Sequence, residues 1–234
     1  MQPKILHEDD SILVLEKPAG WIVNKAQTTK TQPVVQKWLE EYDYPLARDP
    51  LYRSGIVHRL DKETSGILLV AKTRQAFANL QAQFKERRVK KTYTTLVHGL
   101  VDPGVGEIEV PVGRLPWRRD RFGVLPGGRG AKTKYKLINL FEREGGKYSL
   151  LQAFPETGRT HQIRIHLKYL GHPIVGDEFY AGRKTAKADR LWCPRLFLHA
   201  SGIKFTHPQS GEEKSFESPL AQDLASVLKS LASS

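Results

Sequence analysis

Apolar positions along this chain change period several times, and each change marks a predicted element. Ile5-Leu6-His7 and Ile12-Leu13-Val14-Leu15 stand on either side of the turn residues Asp9-Asp10-Ser11, which predicts a hairpin at the start of the sequence. Val34, Val35, Trp38 and Leu39 follow helical spacing. Phe77, Leu80 and Phe84 repeat it behind Thr73, a residue type suited to cap a helix N-terminus. Runs rich in β-branched and aromatic residues predict strands over 67–71, 93–98, 107–112, 133–140, 148–154 and 196–205, with Gly145-Gly146 as a hairpin turn between two of them. Ile163, Leu167 and Leu170 return to helical spacing and stop at Gly171, a candidate C-cap. Leu220, Leu224, Val227 and Leu231 predict a closing amphipathic helix. Residues 113–131, rich in Gly, Pro and Arg, read as an extended loop. No repeat and no long linker divides the chain, so the pattern predicts an α+β fold in one domain over residues 1–234.

Composition narrows the class. At 234 residues, folding would bury roughly 70% of the unfolded surface, enough for a core without staples. Cys193 is the one cysteine, which rules out an internal disulfide and suits a reducing compartment. No apolar run has the length of a signal segment or a membrane span, and the expectation is a soluble, cytoplasmic, monomeric protein without a membrane or an obligate protein partner. Thirty-seven Lys and Arg against 25 Asp and Glu leave a net charge of +12. That excess suits a polyanion, because each phosphate contact releases counterions, although a generally basic surface would carry the same charge.

The densest chemistry lies in His58-Arg59-Leu60-Asp61-Lys62-Glu63-Thr64-Ser65-Gly66, which leads into the apolar run Ile67-Leu68-Leu69-Val70-Ala71. A carboxylate, an arginine and small polar residues beside an apolar strand can hold one reactive group at the edge of a rigid sheet. This run resembles the signature of the RluA family of RNA pseudouridine synthases. Further matches follow in the family's order: Lys17-Pro18-Ala19-Gly20, Lys91-Thr92-Tyr93, Gly158-Arg159-Thr160-His161-Gln162-Ile163-Arg164-Ile165-His166, Gly171-His172-Pro173-Ile174-Val175-Gly176-Asp177 and Leu198-His199-Ala200. The resemblance spans residues 17 to 200. It implies a mostly antiparallel sheet with flanking helices and a central RNA cleft, isomerising uridines of ribosomal or transfer RNA. It also implies a chain that enters catalytic sequence at once, with no room in front for the small S4 RNA-binding domain many relatives carry.

Uridine isomerisation cuts an N-glycosidic bond, turns the uracil and rejoins it through C5, and one ionised carboxylate suffices as nucleophile or as base. The resemblance implies Asp61 in that role, although Asp61 standing alone would read as a turn-capping residue. It implies Arg164 as the cation paired with the catalytic aspartate, favouring its charged form, and Tyr93 as the ring against the extruded uracil. Leu198 is implied as apolar pocket lining and Arg59 as the residue that fills the gap left by the flipped base, with His58 as a further substrate contact; Arg159 reads as a phosphate contact or as a helix-entry residue. Gly113 to Phe122 interleaves four arginines, among them Arg118 and Arg119, with Trp117 and Phe122. That composition suits phosphates and unstacked bases, and equally a solvated basic loop.

Other patterns fall away. Gly127-Gly128-Arg129-Gly130-Ala131-Lys132-Thr133 fails as a phosphate loop, because Ala131 stands where the pattern needs glycine. His161 and His166 are five apart, not the four that would put a metal pair on one helix face, and no metal or cofactor is expected. Asp61 with Glu63 as a glycosidase-like acid and base pair is the rival enzyme reading, disfavoured because the resemblance treats position 63 as variable and its charge is expected to be solvated or paired with Lys62 or Lys72. An RNA-binding module without chemistry is the second rival. After Gly20, Ile22-Val23-Asn24-Lys25 departs from the family pattern, which bears on substrate preference and not on the reaction.

Overall fold

The computed structural model describes residues 1–26, 29, 31–116 and 118–232, with the side chains of residues 119 and 232 outside the description. In chain order its elements are β1 Lys4–Glu8, β2 Ile12–Lys17, α1 Val35–Leu39, β3 Ser65–Ala71, α2 Arg74–Lys85, β4 Lys90–His98, β5 Val105–Glu109, β6 Val112–Leu115, β7 Arg118–Val124, β8 Lys132–Arg143, β9 Gly146–Pro155, α3 Gln162–Tyr169, α4 Arg183–Asp189, β10 Leu198–Thr206, β11 Glu213–Glu217 and α5 Gln222–Ala232. The fold is α+β, and its chain divides into two units: residues 1–90 with 200–219, and residues 91–199 with the chain from 220 on.

In the first unit β1, β2 and β3 form an antiparallel meander, with Lys4 opposite Glu16 and Ile12 opposite Ala71. Asp9 closes the first turn by accepting from the amides of Ser11 and Ile12. All seven residues of β3 are buried. A run apolar on both faces is the mark of a strand covered on both sides. Helix α2 covers one of them, entered through Thr73, whose hydroxyl accepts from the amide of Ala76 as expected of an N-cap. The α2 residue Gln83 fastens the helix to β10: its amide nitrogen donates to the Thr206 carbonyl and its oxygen accepts from the Thr206 amide. Strands β10 and β11 close this unit as an antiparallel hairpin, Gly202 opposite Glu217.

In the second unit β4, β9, β8 and β5 pair antiparallel in that order. The tight turn between β8 and β9 is Glu144-Gly145, both at positive φ (51° and 76°), one residue earlier than the glycine pair suggests. Two consecutive residues at positive φ make the turn whose twist matches the strands it joins. The expected strand over 107–112 is broken at Pro111, which has no amide hydrogen for a ladder. Residues 113–131 are not an extended loop. Strands β6 and β7 pair within them, Gly113 opposite Gly123, and Val112, Phe122 and Val124 pack with Ala131, Ile165 and Tyr180. Helix α4 and strand β11 carry no clear periodicity in the sequence that would predict them.

Candidate functional site

In the first unit, Asp61 opens a turn in which the Thr64 amide donates to the Asp61 carbonyl at 3.2 Å. Lys17, the last residue of β2, is fully buried, and its ammonium donates to the carbonyls of Pro18 and Trp21 (both 2.9 Å) and of Lys62 (3.3 Å). The Gly20 amide donates to the same Lys62 carbonyl at 2.8 Å. The Lys-Pro-Ala-Gly turn therefore grips the residue after Asp61. Carbonyls satisfied by a buried cation keep that grip rigid, since releasing them would leave polar groups unpaired away from water. Behind the turn, Gly66 has φ +109°, and a Cβ there would lie 2.2 Å from the Ala200 carbonyl oxygen. Only glycine allows this approach.

His58 is half-buried. Its Nε2 accepts from the Leu69 amide at 2.9 Å, which makes that nitrogen the unprotonated one, and its ring stacks on Phe84 at 4.9 Å. Arg59 is exposed and Asp61 half-buried. Lys72, a candidate partner for Glu63, directs its ammonium to Glu8 (2.9 Å) and to the Asp9 carbonyl.

In the second unit, Tyr93 lies buried on β4 opposite Ala153, and Leu198 is buried at the start of β10. Arg164, on α3, makes a two-pronged pair with Asp177: Nε to Oδ2 and Nη2 to Oδ1, each 2.8 Å. Both residues are buried. Asp177 also accepts from the amides of Phe179 and Tyr180. The guanidinium lies 5.0 Å from the Tyr180 ring centre and 5.4 Å from that of Phe179. One edge and one face of Arg164 are thus set by the turn that ends Gly171 to Asp177. Bidentate pairing fixes orientation as well as charge.

Gln162 organises the entry to α3. Its oxygen accepts from the Thr157 hydroxyl (2.6 Å) and the Arg159 amide (3.0 Å), and its nitrogen donates to the Lys132 carbonyl and the Thr133 hydroxyl oxygen (3.0 Å each). Arg159 itself donates from Nε to the Gly130 carbonyl. His161 takes a left-handed backbone (φ 55°) at the head of α3. The Tyr180 hydroxyl donates to the Phe122 carbonyl at 3.2 Å, so the 2.9 Å contact with His161 Nδ1 has the imidazole as donor. Burial pulls the His166 pKa down, the bond from Nε2 to the Val110 carbonyl acting against it. Both histidines are thus used in packing.

The arginine-rich segment divides. Arg121 lies over Phe179 at 5.5 Å and donates to its carbonyl, and Arg114 lies over Phe122 at 5.0 Å. Arg118 is exposed at the start of β7. Trp117 and the side chain of Arg119 lie outside the described residues. Sequence reasoning passed over the mechanical roles of Lys17, Gln162 and Asp177, although all three stand inside the matched segments.

The family model for RNA pseudouridylate synthases matches residues 11–169. A protein of Chloroflexus aurantiacus named as an uncharacterized RNA pseudouridine synthase is 45% identical over 215 residues, covering 92% of this chain and 65% of that one. Ribosomal large subunit pseudouridine synthase D of Nitrosomonas europaea is 40% identical over 232 residues, 97% of this chain and 65% of its own length. An RNA pseudouridine synthase of Bacillus subtilis, also named as uncharacterized, is 37% identical over 231 residues, 99% of this chain and 73% of that protein. The chain thus spans just under two thirds of the length of the first two. Among solved structures, human RNA Pseudouridylate Synthase Domain Containing 1 superposes with a TM-score of 0.71 at 26% identity, covering 99% of this chain and 95% of that one.

Proposed function

Because the chain belongs to the RNA pseudouridylate synthase family, we propose that it converts uridine to pseudouridine within an RNA chain, with Asp61 as the reacting carboxylate and no cofactor. The observation that carries this reading is the grip on the Asp61 turn, where the Lys17 ammonium and the Gly20 amide meet on the Lys62 carbonyl. A reacting group must be held within a fraction of an ångström, and a second segment clamped onto its turn achieves that.

In the reaction the C1′–N1 bond breaks and a C1′–C5 bond forms. N1 takes up a proton and C5 loses its hydrogen to solvent, so substrate and product have the same composition. Ionised Asp61 serves as nucleophile or as base. Tyr93 holds the freed uracil by stacking, Leu198 lines its pocket, and Arg164 is the cation assigned to the reacting carboxylate. Arg59 replaces the flipped base in the stack. His58 supports the strand behind the reactive turn, while Arg159, Arg118 and Arg119 serve phosphates.

The relatives named as ribosomal large subunit synthases favour ribosomal RNA as the substrate, with transfer RNA as the other candidate. Residues 1–234 act as one catalytic domain, monomeric and cytoplasmic. Among the described residues no helix is long and apolar enough to cross a membrane.

The test is tritium release from C5-labelled uridine in transcribed ribosomal and transfer RNA. The wild-type protein should release label, and Asp61→Asn should release none while its RNA affinity stays within a few fold, because binding is spread over many phosphate contacts. Label release by Asp61→Asn would remove Asp61 from its role. A wild-type protein inert on both RNA classes would overturn the reading.

A further inference from the structure

Lys91 stands two residues before Tyr93 on β4. On an extended strand their side chains leave the same face, about 7 Å apart along it. The Lys91 ammonium donates to the Thr157 carbonyl at 3.2 Å, and among the described residues it has no other partner. An ammonium has three N–H donors, so two are left for an acceptor the protein does not provide.

Three carboxylates of this unit are paired with other lysines. Lys132 holds Glu107 (2.9 Å) and Glu109 (3.0 Å), and Lys134 holds Glu156 (2.8 Å). Lys91 is half-buried. Its acceptor is immobile, because the Thr157 side chain donates to Gln162 and accepts from the Lys132 amide. Burial pulls the Lys91 ammonium down to about 8, the direction expected of a desolvated cation without a counter-ion. Such a group is poised for an anion that arrives with a ligand.

We infer that Lys91 binds the backbone phosphate beside the uridine whose base stacks on Tyr93. This rests on the functional reading above, since the stacked uridine is part of it. A nucleotide presents its base and its phosphodiester together, and a face carrying an aromatic ring and a waiting ammonium meets both. The contact recognises the chain rather than the base, so it positions the target nucleotide without reading sequence.

The experiment measures RNA affinity across salt for the wild-type protein, Lys91→Met and Lys91→Arg. Lys91→Met keeps most of the buried stem and should melt as the wild type does. Its plot of log K against log salt should be shallower by about 0.7, the loss of one contact to a single strand, and Lys91→Arg should keep the wild-type slope. RNA with a neutral methylphosphonate flanking the target uridine should weaken wild-type binding and leave Lys91→Met no weaker than it already is. An unchanged slope in a folded Lys91→Met overturns the assignment, as does slower turnover with the slope intact, which would place the ammonium at the base. Should Lys91→Met fail to fold, wild-type binding indifferent to methylphosphonate at both flanking positions also overturns it. A wild-type protein that neither binds RNA nor releases label defeats the functional reading instead, which keeps the two failures apart.

Discussion

Replacing Gly66 by alanine separates two penalties that usually arrive together. The residue sits at φ +109°, and an added Cβ would lie 2.2 Å from the Ala200 oxygen and 2.7 Å from its carbon and nitrogen, distances real Cβ atoms do not tolerate. Relief needs a backbone shift of roughly 1 Å, in the range where overpacking costs about 1–3 kcal/mol. The backbone conformation costs about 1–3 kcal/mol more for a residue with a side chain. Gly145 is the control: its φ is +76° but nothing lies within 4 Å of a Cβ built there, so Gly145→Ala carries the conformational part alone. The expected destabilisations are about 4 kcal/mol for Gly66→Ala and about 1–2 kcal/mol for Gly145→Ala, read from urea titrations followed by tryptophan fluorescence. For a chain of this size they correspond to falls in melting temperature of about 12 °C and about 4 °C. Gly66 stands five residues after Asp61, so the same shift should lower turnover about 100-fold at temperatures where the variant is folded, the loss typical of a misplacement near 1 Å. Gly145→Ala should keep full activity. Equal destabilisation by the two substitutions would refute the close-approach argument.

Two further outcomes follow from other parts of the fold. Arg59→Ala should slow turnover roughly 30-fold on structured RNA, equivalent to about 2 kcal/mol of lost transition-state help, and should recover in part when the target uridine sits in an open loop; equal loss on both RNAs would make Arg59 structural. Asp9 is held well below the usual carboxylate range: burial acts against ionisation, but bonds from His7, from the Ser11 and Ile12 amides and from the Ser11 hydroxyl outweigh it. Its stabilisation is therefore present above the unfolded carboxylate value near 3.9 and is lost progressively as pH falls below it. Denaturation measured from pH 6 to pH 2.5 should show the advantage of wild type over Asp9→Asn shrinking only below about pH 4, and an advantage constant down to pH 2.5 would contradict this.

Much of the fold was legible in the chain because it rests on local patterns. The apolar run from Ile67 declared β3, the spacing of Phe77, Leu80 and Phe84 behind Thr73 declared α2, and the leucines after 220 declared α5. Each period is set by one element burying its own face, and that information is contiguous. The motif residues were visible as well, since Asp61, Tyr93 and Arg164 stand in runs whose order identifies the family.

Tertiary structure alone decided how those residues are held. Nothing within the Lys-Pro-Ala-Gly turn announces that Lys17 will be fully buried on a carbonyl 45 residues away. Asp177 becomes the partner of Arg164 only when α3 and the turn after it close on each other. The β6–β7 hairpin escaped notice because arginines fill its face, and their stems and guanidinium planes cover aromatic rings where apolar side chains would otherwise stand. Lys91 reads as one more basic residue in a chain of net charge +12, until folding sets its ammonium on the Thr157 carbonyl. Sequence periodicity records which face of an element is buried. The partner a polar group finds there depends on segments far apart in the chain, and only their packing brings the two within hydrogen-bonding distance.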